Sequence, residues 1–147
     1  AELLVNQLSQ LNSIGEELGA IKEVNALTDV TGFGLLGHLI EMVEGSGLSA
    51  QLNYSAIPKL SGVDDYLKER IVPDATYRNW NSYSSKVGFE KGVNVMEAFN
   101  LLPDPQTNGG LLISVSKEGL QKVKDLVHAE PIGRMVGKQE KAIIVAS

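Results

Sequence analysis

The chain has 147 residues, of which 43% are hydrophobic and 21% are charged, a composition typical of one folded domain with a single sizeable core. Its 13 basic and 18 acidic residues give a formal charge of −5, which argues against a nucleic-acid partner held by phosphate neutralisation. There is no cysteine, no secretory signal and no apolar run of the ~20 residues that a membrane span requires, so we expect a cytoplasmic protein without disulfides or a membrane partner.

Regular patterns begin at the N-terminus. Four leucines recur there at helical spacing: Leu4, Leu8, Leu11 and Leu18. They predict a helix over residues 1–18 that packs on the core. A second apolar stripe predicts a helix from residue 34 that stops at Gly45-Ser46-Gly47. Apolar and polar residues then alternate over residues 48–54, which predicts a half-buried strand that Pro58 ends.

The middle of the chain carries weaker patterns. A short helix is predicted over residues 63–69, with Asp64 and Asp65 near its positive end. From Ile71 to Gly92 the regular signals fade, which predicts a long loop with little regular structure, a kind of segment that is often functional.

The last third has clear patterns again. Residues 111–115 predict a buried strand, and Ser116 is suited to cap a following helix. That helix has an apolar stripe of Leu120, Val123 and Val127. Residues 131–132 and 142–146 predict two more strands. The order strand, helix, strand, strand indicates an α+β domain, residues 1–147, with helices layered on a mixed sheet.

The segment TDVTGFGLLGH, residues 28–38, places a polar loop before the helix that starts at residue 34. Unpaired N–H groups and the positive end of a helix dipole favour a phosphate there, and Asp29 offers an oxygen ligand for Mg²⁺. The alternative is that Asp29 only caps the following turn. Gly32 and Gly34, with Gly37, likewise allow either close approach to a phosphate or tight packing of the helix.

Residues 32–37 also match the dinucleotide pattern G-x-G-x-x-G. A dinucleotide fold needs a hydrophobic strand before the first glycine and an acidic residue about 20 positions later, at the end of a second strand. Residues 26–31 are polar at three of six positions, and the next strand runs into Ser55-Ala56-Ile57-Pro58. The sequence therefore disfavours this alternative.

A second motif, DPQTNGGLL, occupies residues 104–112. Turn chemistry explains its Asp-Pro, Asn and Gly-Gly steps but not Gln106 and Thr107. Together the two motifs closely resemble the selenophosphate synthetase (selenide, water dikinase) family. Other similar stretches are residues 8–12, 56–60, 62–63, 78–79 and 132–133. The resemblance spans nearly the whole chain and matches the family's C-terminal half, a domain shared with aminoimidazole ribonucleotide synthetase.

The resemblance implies a sheet surrounded by helices with partly ferredoxin-like topology. It implies an enzyme that turns ATP, selenide and water into selenophosphate, AMP and phosphate, with Mg²⁺ as cofactor and the full-length protein as a homodimer. Asp29 would hold the metal, and Gly32, Gly34, Gln106 and Thr107 would line the ATP site. We expect the chain alone to have no catalytic residue, to be inactive, and to be able to exist as a monomer.

Some features of the family are missing. Its catalytic cysteine or selenocysteine and its glycine-rich ATP-binding segment have no counterpart here, and the sequence begins at Ala1, which predicts a fragment without the N-terminal half. Asn108 replaces the more usual serine of DPQTSGG. Residues 73–79, PDATYRN, lack both glycines of the family's P-G-G-x-x-R-N, although Arg78 and Asn79 remain.

Two alternatives to this function stay open. One is a non-catalytic docking or assembly module, and the other is the C-terminal domain of a related ATP-dependent synthetase of purine biosynthesis or hydrogenase maturation. His38 and His128 each lack a second ligand at i+3 or i+4, so no metal role is expected for them.

Overall fold

The computed structural model describes residues 2–69 and 71–147, in which α-helices pack on two β-sheets. The helices are α1 (Glu2–Ser9), α2 (Ile14–Gly19), α3 (Gly34–Ser46), α4 (Val63–Lys68), α5 (Asp74–Tyr83), α6 (Val95–Leu101) and α7 (Leu120–Val127). The strands are β1 (Val24–Asp29), β2 (Ser49–Asn53), β3 (Val87–Phe89), β4 (Leu111–Val115), β5 (Gly133–Val136) and β6 (Ile143–Ala146). The predicted α+β class is confirmed.

The strands divide into a small ribbon and a larger sheet. β1 and β4 form the antiparallel ribbon, in which Asp29 lies opposite Leu111. The larger sheet has the order β3-β6-β2-β5. Its strand β6 runs parallel to β3 and β2, while β5 runs antiparallel to β2, so the sheet is mixed as predicted. The division into two sheets was not predicted from the sequence.

The main core lies between α3 and the larger sheet. Leu36 and Ile40 are buried in one hydrophobic cluster with Leu52 of β2 and Val145 of β6. Their i, i+4 spacing gives α3 a single apolar face. Gly47 ends the helix in the left-handed conformation, φ 68°, which glycine adopts without strain. The prediction that glycines stop this helix is confirmed.

A smaller core joins the ribbon to α2 and α7. It buries Leu18, Ile21 and Val123, the last of these from the predicted stripe of α7. The capping prediction for Ser116 is wrong, because α7 begins at Leu120 with Gly119 in the N-cap position. The Ser116 carbonyl instead accepts the N–H of Gly119 in the preceding turn.

The single helix predicted over residues 1–18 is also wrong within the described part of that segment, which excludes Ala1. α1 ends at Ser9, and a turn in which the Gly15 N–H donates to Asn12 leads into α2. Of the four leucines only Leu18 is buried, whereas Leu4, Leu8 and Leu11 are 53%, 45% and 82% exposed. Helical spacing defines a common face, but burial needs an element to cover it, and none of the described residues covers the leucines of α1.

The long irregular loop predicted from Ile71 to Gly92 is wrong, because it contains α5 and β3. The face that α5 buries carries Thr76 and Tyr83, with Trp80 packed edge-on against Phe99. Aromatic and hydroxyl side chains make this face, so the aliphatic stripe that usually marks a helix is missing. β3 has only three residues, too few for an alternating pattern.

Other differences concern shorter elements. β1 forms although residues 26–31 looked too polar, because one face of a two-stranded antiparallel ribbon tolerates polar side chains. β1 does not share a sheet with β2, so the ribbon gives no support to a dinucleotide fold. α6 was not predicted, although Asn94 caps it by accepting the Glu97 N–H, a recognisable start signal. β5 begins at Gly133, just after the predicted residues 131–132.

Candidate functional site

The two sequence motifs meet at the end of the ribbon. Beyond the pair Asp29 and Leu111, the Val30 N–H donates to Gly110 at 2.9 Å and the Val30 carbonyl accepts from Gly109 at 3.0 Å. The next carbonyl, that of Thr31, accepts the Gln106 N–H at 3.1 Å. Residues 28–38 and 104–112 therefore form one continuous hydrogen-bonded unit, which we call the paired loops.

Asp29 is the exposed last residue of β1. Within the described residues its carboxylate makes no hydrogen bond or ion pair, and Phe33, not Asp29, takes the N-cap position of α3. The capping alternative for Asp29 therefore has no support in the structure. The side chain is free to bind a ligand.

A carboxylate without a partner is better suited to a Mg²⁺ site that waters and substrate phosphates complete than to a site built only from side chains of this chain. Residues 2–69 and 71–147 contain no group of three or more acidic or histidine side chains that could hold a metal ion. Mg²⁺ commonly takes one or two carboxylates and completes its octahedral shell with waters and substrate phosphates. Asp29 suits that role, since its remaining partners need not come from this part of the chain.

The glycines of the first motif have different surroundings. Gly34 is buried with φ 68°, and a Cβ there would lie 2.6 Å from the Pro103 carbonyl carbon. Gly37 packs equally closely on Phe33, where a Cβ would lie 2.5 Å from the Cβ of that residue. Gly32 is exposed, and a Cβ added to it would meet nothing within 4 Å. Tight packing thus explains Gly34 and Gly37, whereas only Gly32 offers open space to a ligand.

The N-terminus of α3 is partly occupied by the protein itself. The Gly34 N–H donates to Thr31 at 3.0 Å, and the Leu36 N–H donates to Leu102 at 3.2 Å. Both belong to the N–H groups of the first helical turn, which would otherwise be available to bind an anion. The helix end therefore binds its own preceding loop and the segment just before the second motif, and it offers a phosphate fewer donors than the sequence suggested.

In the second motif, the Gln106 side chain turns towards Asp104. Its Nε2 donates to Asp104 Oδ2 at 2.7 Å, and the Thr76 hydroxyl donates to Oδ1 at 3.1 Å. Burial raises the pKa of Asp104, and these two hydrogen bonds act against that shift. Thr107 is exposed. Gln106 is therefore a half-buried residue that shapes the loop, while Thr107 is the more accessible of the two predicted ATP-site residues.

Asn79 on α5 connects the first motif to Pro103, the residue directly before the second motif, a role that the sequence did not reveal. Its Nδ2 donates to Gly32 at 2.8 Å and to Pro103 at 2.9 Å. Nearby, the Tyr83 hydroxyl donates to Phe33 at 2.9 Å, and burial raises the pKa of this tyrosine. The only sequence signal was the Arg-Asn pair of the family resemblance. Arg78 itself is exposed.

Asn108, which stands where the family more often has serine, attaches α1 to the paired loops. Its Nδ2 donates to the carbonyls of Gln7 at 2.9 Å and Gln10 at 2.6 Å. The Gln7 side chain returns a hydrogen bond to the Asn108 carbonyl at 3.2 Å. A serine has a single hydroxyl proton and could donate to only one of these two carbonyls, whereas the hydrogen bond from Gln7 goes to the backbone and does not depend on the side chain at position 108.

Comparison with protein families places this fold among known domains. Residues 3–146 match the family described as AIR synthase related protein, C-terminal domain. The chain belongs to this family. Its membership of this family confirms the resemblance that the two motifs indicated.

This AIR synthase related domain is similar to proteins named selenide, water dikinase. It is 46% identical over 140 residues to one from Pseudomonas putida and 44% identical over 140 residues to one from Bordetella bronchiseptica, in each case over 92% of the chain and 40% of the relative. A third, from Aeromonas hydrophila, is 49% identical over 119 residues, 80% of the chain and 33% of the relative. The chain thus spans between one third and two fifths of the length of these relatives.

Two crystal structures of E. coli HypE, one of them titled a hydrogenase maturation protein, are similar in fold. One has a TM-score of 0.57 at 21% identity and covers 90% of this chain and 34% of HypE. The other has a TM-score of 0.59 at 20% identity and covers 98% of this chain and 41% of HypE. This likeness supports the fold alone.

None of the helices in the described residues is both long and apolar enough to span a membrane.

Proposed function

We propose that the chain is the C-terminal domain of a cytoplasmic selenide, water dikinase, whose reaction converts ATP, selenide and water into selenophosphate, AMP and phosphate. The observation that carries this proposal is the pairing of residues 28–38 with residues 104–112, which leaves the free Asp29 carboxylate at the edge of the paired loops. The similarity to three selenide, water dikinases over most of the chain supports it.

In this proposal the exposed groups of the paired loops face Mg²⁺ and ATP. Asp29 would hold Mg²⁺, which would supply charge neutralisation for phosphoryl transfer. Gly32 lets a phosphate approach the backbone, and the Thr107 hydroxyl donates a hydrogen bond to it. Gly34 and Gln106 act indirectly by fixing the shape of the loops.

The domain contributes binding and positioning, and the nucleophile belongs to the remaining part of the enzyme. Phosphoryl transfer depends mainly on positioning and electrostatic stabilisation, so a domain without a nucleophile still matters for the rate. We therefore expect the chain alone to be inactive. The family resemblance further implies that the full-length enzyme is a homodimer and that the chain alone can be a monomer.

The test is reconstitution of turnover with the N-terminal portion of the Pseudomonas putida relative, supplied as a separate protein. Selenophosphate and AMP formation from selenide and Mg²⁺–ATP would be followed by ³¹P NMR. We expect turnover only when both parts are present, and at least a ~100-fold loss with Asp29→Asn, about the scale of removing one group that stabilises the transition state.

A matched variant separates this role from a general charge effect. Asp125 is an exposed aspartate on α7, and Asp125→Asn should retain turnover. Equal turnover with both variants would contradict the assignment of Asp29.

A docking or assembly module is the second candidate function. The exposed leucines of α1 favour it, since they are suited to contact another protein surface. This candidate predicts that the chain binds the N-terminal portion without restoring turnover. The hydrogenase-maturation alternative has support only from the likeness in fold.

A further inference from the structure

His38 is buried in the second turn of α3, with only 7% of its surface exposed. Its Nε2 lies 3.1 Å from the backbone nitrogen of Thr31 and 3.2 Å from the Thr31 hydroxyl. A backbone N–H can only donate, so Nε2 must supply the lone pair. The imidazole is then neutral, and its single proton is on Nδ1.

The surroundings of Nδ1 favour the same arrangement. Within residues 2–69 and 71–147 this nitrogen has no hydrogen-bond partner, and the Glu41 carboxylate lies 3.5 Å away. That distance is long for a hydrogen bond, and the Glu41 side chain is 68% exposed, so the pair is only a weak contact. The negative charge nevertheless favours a proton on Nδ1, and both ring nitrogens therefore select one tautomer.

Thr31, the residue that His38 holds, is central to the paired loops. The Thr31 carbonyl accepts from Gly34 at 3.0 Å and from Gln106 at 3.1 Å, so it joins the helix to the second motif. Thr31 also lies between the free carboxylate of Asp29 and the exposed Gly32. His38 supplies the acceptor for the other backbone polar group of Thr31, its N–H.

We propose that His38 is a positioning residue, which in its neutral Nδ1–H form fixes Thr31 and thereby the segment from Asp29 to Gly32. The consequence for Mg²⁺–ATP rests on the proposed function. The role of His38 in fixing Thr31 does not rest on the proposed function, because it concerns contacts within this chain. His38 itself is too deeply buried to take a direct part in binding.

The first experiment reads the tautomer directly from the ¹⁵N spectrum of the chain with labelled histidine. We expect a protonated signal at Nδ1 and an unprotonated signal at Nε2 of His38. Protonation at Nε2 would overturn the proposal, and this measurement needs no variant that could fail to fold.

The second experiment measures amide hydrogen exchange at Thr31. His38→Leu removes the acceptor, whereas His38→Gln places a carboxamide oxygen near the position of Nε2. We expect exchange at Thr31 to rise about tenfold in His38→Leu, the factor that corresponds to one lost hydrogen bond, and to stay near the unsubstituted value in His38→Gln. His128→Asn, at the exposed end of α7, is the matched control and should leave Thr31 unchanged. Equal exchange in all four proteins would overturn the proposal.

Reconstituted turnover then tests whether the fixing of Thr31 by His38 matters for the use of Mg²⁺–ATP. Lower turnover with His38→Leu and near-normal turnover with His38→Gln would support it, and equal turnover with the two variants would overturn it. A failure of the proposed function has a different signature, namely no turnover with the unsubstituted chain while the tautomer and the Thr31 exchange are as expected.

Discussion

The side-chain amide of Asn79 donates a hydrogen bond to the Gly32 carbonyl at 2.8 Å across 47 residues of sequence. The same nitrogen donates to the carbonyl of Pro103, so one residue of α5 connects the first motif to the residue directly before the second. Gly32 lies in the exposed part of the paired loops, where we place the phosphate. The shape of this candidate site therefore depends on a helix that contributes no ligand to it.

Replacing Asn79 should weaken both the fold and the site. Asn79→Leu leaves the Gly32 and Pro103 carbonyls without this donor, and we expect the free energy of unfolding in urea to fall by about 1–3 kcal/mol. Asn81, an exposed residue of the same helix, provides the control variant Asn81→Leu. If the two variants were equally stable, the Asn79 contacts would not hold the loops together.

The glycines should respond differently to alanine. Gly34→Ala places a Cβ 2.6 Å from backbone at Pro103 and requires φ 68°, so we expect a loss of stability of more than about 3 kcal/mol. Gly32→Ala meets open space and should change stability by less than about 0.5 kcal/mol while lowering reconstituted turnover. Thermal unfolding of both variants checks this, and similar melting temperatures would contradict it.

Asp29 should be important for function but not for folding. Because its carboxylate has no partner within the described residues, we expect Asp29→Asn to change the free energy of unfolding by less than about 0.5 kcal/mol. Urea unfolding would measure this change beside the turnover assay. A large loss of stability would mean that the residue has a structural role after all.

Glu97 should give the fold a pH-dependent stabilisation. The Tyr54 hydroxyl donates to its carboxylate at 2.7 Å and the Lys59 ammonium donates at 3.1 Å, and these contacts lower the pKa of Glu97. A carboxyl whose pKa is lower in the folded state stabilises the fold above its unfolded pKa of about 4.3, and this contribution is lost as the pH falls through the folded pKa.

We therefore expect Glu97→Gln to cost about 0.5–1 kcal/mol of unfolding free energy at neutral pH, since the carboxylate is partly exposed. The difference from the unsubstituted chain should shrink as the pH falls below about 4. Urea unfolding at several pH values measures it, with Glu140→Gln at an exposed position as control. A difference that does not change with pH would contradict the role of the Glu97 charge.

Some elements could be predicted because their signal is local. The stripe of α3 and the glycine at position 47 specify a helix and its end within one stretch of chain. The leucines of α1 carry an equally regular pattern, yet they are exposed. For α5 the reverse holds, since its anchors Tyr83 and Trp80 give no aliphatic period but pack well. A periodic pattern shows which side chains share one face of a helix. That face is buried only where a neighbouring element packs against it.

For the candidate site, the sequence by itself determined the two motifs, the single carboxylate at Asp29 and the glycines beside it. The tertiary structure decided that Gly34 serves packing, and that Asn79 and His38 hold the loops. The physical reason is that these roles are hydrogen bonds and close contacts. Most of them join residues far apart in the chain, and even the local bond from Thr31 to His38 depends on how the loop folds back on α3.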